Sequence, residues 1–241
     1  MAKLRLIVSA LVVCTISVLV ISAQQPPAPT QLSPEEIIKR LVENETQAKK
    51  VRNDYTYLED MKLIQVSSFD FVGGTYSRSC KVSFVNGERR EKFVEEKNEL
   101  RTFRIAPSDL TDLATVYQFF LTDKDLPFYK LKLLKTEKVD ELNTYVFEIK
   151  PDKIPDAKKT RDRFLTGQIW VDDKDFQIVK IAGHSEPENS ANRSARFETY
   201  YTFVADKYWF PWQTISNDVM STGSRTKVKL KVVYDKYTIA K

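Results

Sequence analysis

Residues 226–239 read TKVKLKVVYDKYTI. Val228, Leu230, Val232 and Tyr234 fall on one side of a period of two, and Lys227, Lys229 and Lys231 on the other. Successive side chains of a strand point to opposite faces, so this segment is a strand with one packed and one wet face. The same period recurs upstream over 55–64, 75–85, 88–97, 100–105, 129–139, 143–150, 167–172, 177–184, 196–204 and 209–217. Asn86-Gly87 between two of these runs is a strong signal for a two-residue hairpin. Asp172-Asp173-Lys174-Asp175 resembles the start of a calcium loop. Gln177 occupies the position where that loop needs glycine, and Gly183 the position where it needs glutamate, so a hairpin turn is expected instead.

Two stretches follow a helical period. Ser33-Pro34-Glu35-Glu36 carries a capping serine, a proline suited to the first turn and a glutamate three residues after the cap. Ile37, Ile38, Leu41, Val42, Ala48 and Val51 then keep one face apolar to about Arg52. A second helix is expected after Pro107-Ser108-Asp109, with Leu110, Leu113, Ala114, Tyr117, Phe120 and Leu121 on one face. The fold class is therefore mainly β with two helices (α+β). One curved antiparallel sheet of about ten to eleven strands forms an incomplete barrel, because large twisted sheets do not stay flat. An N-terminal helix and a central helix are available to cover its concave face.

Composition narrows the function. The 241 residues carry 38 Lys plus Arg against 33 Asp plus Glu, a net of +5, and 12% are aromatic. Wholesale disorder is excluded by the aromatics, and a polytopic membrane protein by the lack of a second long apolar run. Lys3 and Arg5 precede an apolar run over 6–21, which ends in Ser22 and Ala23. That order is expected of a cleaved secretory signal peptide over 1–23. An uncleaved anchor is the rival reading, and Cys14 is poorly placed for lipidation because Val13 stands where a small residue is wanted. A Pro-rich linker over 24–33 and one domain over 34–241 follow. Without the first 23 residues the charge falls to about +3, too mild to argue for nucleic acid. Cys80 is then the sole cysteine, so no disulfide within the chain is available.

Signatures of catalysis are missing from the sequence. It holds no Gly-x-Ser-x-Gly elbow, no His-Glu-x-x-His pair and no phosphate-binding glycine loop. His184 is the one imidazole, so neither a metal nor any other cofactor is expected. The run Lys158, Lys159, Arg161 and Arg163 reads as a solvated loop or as a contact for anionic headgroups. The aromatics on the second helix and on the strands suit core packing. The alternative, which composition favours less than core packing, is an apolar cavity in a sheet too wide to fill itself.

Gly167-Gln168-Ile169-Trp170-Val171-Asp172, followed by Phe176-Gln177-Ile178-Val179-Lys180, resembles a hairpin of the LolA/LolB superfamily of lipoprotein carriers and RseB-type envelope sensors. Tyr145–Pro151, Tyr208-Trp209-Phe210-Pro211 and Val233–Tyr237 are similar to divergent bacterial members. The resemblance spans about residues 34–240. It implies a half-barrel with a helical lid, and a non-enzymatic periplasmic carrier or binder of lipoprotein acyl chains or other lipids. In that reading Leu113, Tyr117 and Phe120 lie on the lid helix, and Trp170, Phe203, Trp209 and Phe210 line the cavity. Acyl chains need such shielding, at roughly 0.8 kcal/mol per methylene exposed to water. The expected partners are an acylated lipoprotein or lipid, with transient membrane contact, and the expected state is a monomer. The alternative is an envelope sensor or assembly subunit that binds a protein partner, marked by a filled core and an exposed apolar patch.

Overall fold

The computed structural model describes residues 32–66, 71–101, 104–105, 107–157, 159–160, 162–188, 196–204, 207–219 and 227–240. The expected export signal and almost all of the linker lie outside them. Ser33–Lys241 forms one compact unit. Within it, α1 (Pro34–Arg52) precedes β1 (Tyr55–Val66), β2 (Val72–Val85) and β3 (Glu88–Asn98). A short α2 (Pro107–Ala114) leads into β4 (Tyr129–Val139), β5 (Leu142–Pro151), β6 (Phe164–Asp172), β7 (Ile178–Glu186), β8 (Arg196–Val204), β9 (Tyr208–Val219) and β10 (Lys227–Ile239).

All ten strands form one curved, unclosed antiparallel sheet in the order β3-β2-β1-β10-β9-β8-β7-β6-β5-β4. Two meanders, β1–β3 and β4–β9, are joined by the last strand, which inserts between β1 and β9. The expected strand over 100–105 does not form. Among its described residues, Leu100, Arg101, Arg104 and Ile105 are outside the sheet. Asn98 caps the turn there, its side chain accepting from the Leu100 N–H at 3.0 Å. At Asn86-Gly87 both residues have positive φ, 52° and 78°, as the two-residue turn requires. In the Asp172 hairpin one carboxylate oxygen accepts from the N–H groups of Lys174 and Asp175, at 3.0 and 2.8 Å. Asp172 thus builds a turn on itself rather than a calcium loop.

The pairing register places Phe147, Ile169, Ile181, Thr199, Thr214, Val232, Met61 and Arg78 in one row across eight adjacent strands. Every member is buried. The Thr199 and Thr214 hydroxyls bond each other at 2.7 Å, and Thr214 also bonds the Tyr234 hydroxyl at 3.1 Å, so the middle of the row is polar but satisfied. This is the helix-covered face. Ser33 caps α1, accepting from the Glu36 N–H at 3.2 Å, while the Glu36 carboxylate turns to Arg40. The helix buries Ile37, Leu41, Val42, Glu45, Ala48 and Arg52, so the buried stripe includes two charged residues, Glu45 and Arg52.

Glu45 fastens α1 to the sheet. It is fully buried, and its Oε1 accepts from the Ile178 N–H at 2.9 Å. Burial pushes its carboxyl up to about 8, against the pull of the Ile178 and Leu121 N–H groups and of Lys49. A carboxyl raised on folding stabilises fully below its unfolded value, and that stability is lost as the pH rises through the folded one. The window here runs from about pH 4.5 to 8. Glu45→Gln copies the neutral acid and abolishes this slope. In urea titrations the variant gains on the wild type by roughly 3 kcal/mol between pH 5 and 8. Parallel curves for the two proteins would show that Glu45 does not titrate there. Gly183 offers a second check, because a Cβ there would stand 2.2 Å from the Thr166 carbonyl oxygen of the neighbouring strand. Backbone cannot yield as a side chain can, so Gly183→Ala lowers stability by about 2–4 kcal/mol. A change under 0.5 kcal/mol in the same titration contradicts this close approach.

Candidate functional site

The segment between α2 and β4 covers the sheet next to the end of α1. One continuous helix was expected there, but the helix stops at Ala114 and a single 3₁₀ turn follows over Val116–Gln118. Gln118 turns its side-chain amide inward, donating to Glu59 Oε2 at 2.9 Å and to the Leu113 carbonyl at 3.0 Å, and accepting from the Tyr57 hydroxyl at 2.6 Å. Its backbone N–H keeps a 3₁₀-type bond to the Thr115 carbonyl at 3.2 Å. The side-chain bonds tie the cover to β1.

A second tie is ionic. Asp112 receives Arg163 on both carboxylate oxygens, at 2.7 and 3.1 Å, with both side chains buried. Arg163 also donates to the Pro187 carbonyl at 2.6 Å. Arg163 is therefore an internal anchor rather than part of a solvated basic loop. Burial pushes the Asp112 carboxyl up, and the arginine holds it down. Beneath the cover the charges continue. Arg89 donates to Glu59 at 2.7 Å, to the Tyr57 hydroxyl at 2.7 Å and to Glu91 at 2.9 Å, while Arg78 pairs with the other oxygen of Glu91. The Tyr201 hydroxyl completes the fastening with a 2.5 Å bond to the Phe119 carbonyl.

Between the cover and the last turn of α1 lies a cavity of about 240 Å³. Phe119, Phe120, Phe128, Tyr129 and Phe164 supply its apolar walls, and Lys49, Arg52, Gln118, Asp125 and Arg163 its polar side. Lys49 faces Asp125 at 3.5 Å. Phe128 is 57% exposed and stands at the mouth. The space accommodates roughly eight non-hydrogen atoms, at about 30 Å³ each as in a liquid. It is an apolar pocket with a cationic side, and nothing in it resembles a nucleophile with a base.

The seven residues expected to hold a ligand do not share one wall. Phe120 lines the cavity. Leu113 and Tyr117 are buried in the cover, Tyr117 against Phe197 with ring centroids 4.5 Å apart. Phe210 is fully buried with Ala48, Tyr55 and Phe120 under α1. Trp170 lies on the other face of the sheet with Val146 and Val179, and Trp209 packs against that cluster. The Trp170 indole donates to Glu137 at 2.5 Å and carries the Lys180 ammonium 4.9 Å above its ring. Phe203 packs on Trp209 and is 46% exposed. Lys49 and Arg52 escaped the sequence reading. Their position in the last helical turn was visible, but not the inward direction of Arg52.

A second concavity, an open groove of about 610 Å³, runs over β6–β9 beside Thr166, His184, Arg196 and Glu198. His184, Glu186 and Glu188 approach one another within 4.8 Å nearby. Arg196 lies 3.2 Å from His184 Nδ1, and an arginine can only donate. The proton therefore sits on Nε2, which faces Glu186 at 3.2 Å, and no imidazole lone pair is left for a metal in this arrangement.

No curated protein matches the sequence. Among solved structures, a Vibrio parahaemolyticus domain described as an outer membrane lipoprotein-sorting protein is 14% identical. It aligns over 84% of this chain and 92% of its own, with a TM-score of 0.43. A LolA superfamily protein from Nitrosomonas europaea is 10% identical over 88% of this chain and 95% of its own, with a TM-score of 0.36. A chain of the Pseudomonas aeruginosa MucA/MucB complex is 9% identical over 83% and 92%, with a TM-score of 0.22. A family model described as an uncharacterized protein matches residues 102–238, more than half of the sequence. The chain belongs to that family.

Proposed function

We propose that the protein is a non-enzymatic binding protein of the cell envelope that holds an acyl chain, or the end of one, beneath its cover. The cavity between α1 and the 113–129 segment carries this reading: five aromatic side chains enclose it, and its size suits about eight heavy atoms. Room for about eight heavy atoms is too little for a whole multi-acyl anchor, which enters this cavity only if the cover lifts from Glu59 and Arg163. The N-terminal segment with Lys3, Arg5 and the apolar run over 6–21 supports work outside the cytoplasm. Among the described residues, no helix is long and apolar enough to cross a membrane.

The test is calorimetric titration of eight-carbon amphiphiles into protein purified from an exporting host and stripped of lipid. Saturable binding of one per chain is expected. Phe128→Ala weakens it about fivefold or more while the circular dichroism stays native, since Phe128 is more exposed than buried. Absence of saturable binding for every eight-carbon probe overturns the reading.

A protein partner is the second reading. It is favoured by exposed apolar side chains on the β2–β3 hairpin, with Val72, Phe93 and Val94 all at least 60% exposed. Strand β3 is also a free edge of the sheet, and such edges are templates for an added strand. A photo-cross-linking residue in place of Val94 should give one discrete heavier band in the native host. A smear or no adduct at all argues against a partner on this edge.

A further inference from the structure

We propose that Arg52 is the recognition group for an oxyanion, so that the cavity takes an amphiphile with a carboxylate or phosphate head and an apolar tail. This rests on the reading above and adds the polar half of the ligand. The last turn of α1 is basic, with Lys49, Lys50 and Arg52. A helix C-terminus favours cations, which accounts for the composition of the turn. It does not account for the burial of one of them. Lys50 is exposed, whereas Arg52 is 6% exposed.

The surroundings of Arg52 are apolar where a counter-ion would be expected. The rings of Phe84 and Phe120 each lie 4.8 Å from the guanidinium carbon. Aromatic rings attract the charge but offer no lone pair to an N–H group. The Nε atom is buried and has no hydrogen-bond partner among the described residues. Each of the other two cations of the cavity faces a carboxylate: Lys49 faces Asp125 at 3.5 Å and Arg163 faces Asp112 at 2.7 Å. Buried charges in folded proteins are paired as a rule, and a guanidinium presents a planar fork that matches carboxylate and phosphate. A head group seated there would receive the N–H bond that Phe84 and Phe120 cannot accept, while Phe119, Phe128 and Phe164 enclose the tail. Arg52 precedes residue 102, so the head-group end is built outside the segment that the family model covers.

The experiment compares octanoate, octyl phosphate and 1-octanol by calorimetry on the purified chain. At least one of the two acids should bind tenfold or more tightly than the alcohol, and whichever binds better names the head group. Arg52→Met should bring the acids to within threefold of octanol. Arg52→Lys should retain part of the preference, keeping charge without the fork. If Arg52→Met does not fold, the wild type decides: the preference for acid over alcohol should shrink at least threefold between 20 and 500 mM salt. Equal binding of acids and alcohol overturns the role of Arg52 and leaves the acyl-binding reading standing. Failure of all three probes to bind overturns both.

Discussion

Burying charge without leaving it unpaired is the constraint around which this protein is arranged. A ten-stranded sheet closed on itself could fill its interior with aliphatic side chains. This unclosed one instead places Glu59, Arg78 and Arg89 near its helix-covered face, together with Glu91 from the edge strand. Ions taken from water cost several kcal/mol each unless their geometry is good, so each must meet a partner. Arg89 meets three, in Tyr57, Glu59 and Glu91. The segment over 113–122 then completes the pairing from above, with Gln118 as its contribution. The cover is therefore held both by its buried apolar side chains, Leu113, Val116, Tyr117, Phe119, Phe120 and Leu121, and by polar bonds whose loss would strand a buried charge. That makes its closed position well defined, and its opening a concerted event rather than a gradual loosening.

The same constraint explains where the remaining space lies. Away from the end of α1, the row of buried residues from Phe147 to Arg78 is packed or hydrogen-bonded throughout. Space survives where two helical pieces meet at an angle, between the last turn of α1 and the broken second helix. A carrier of bulky anchors needs a trough along the sheet. A pocket at the junction of two covers suits a smaller or partly inserted guest, and makes the cover itself part of the binding surface.

Much of the scaffold was legible in the sequence, because alternation and turn chemistry are local. The strand over 226–239, the Asn86-Gly87 turn and the Asp172 hairpin follow from residues within a few positions of one another. The features that misled are long-range. Glu45 and Arg52 fall on the apolar stripe of α1, four residues after Leu41 and Ala48, but only their distant partners make burial tolerable: the Ile178 N–H for one and two phenylalanine rings for the other. The periodic apolar pattern after Pro107 continues to Leu121, yet the helix yields at Thr115, and the Gln118 side chain beyond the break meets Glu59 of a distant strand. Trp170 stands out in sequence, but its register partners Val146 and Lys180 place it on the face away from the helices. A shift of one residue in strand facing is enough to reverse such an assignment.

The position of β10 bears on how the chain reaches this state. The tenth strand in chain order is a seam within the sheet, paired with β1 on one side and β9 on the other. Until it is in place, β1 and β9 are both unpaired edges, and the two meanders have no common interior. A chain emerging N-terminus first therefore cannot complete the sheet until β10 has followed the other nine strands. Such contacts, distant along the sequence, form slowly and leave strand edges open meanwhile. The seam that unites the two meanders is thus the pairing with the longest reach along the chain, and a chain lacking β10 exposes one edge of β1 and one of β9.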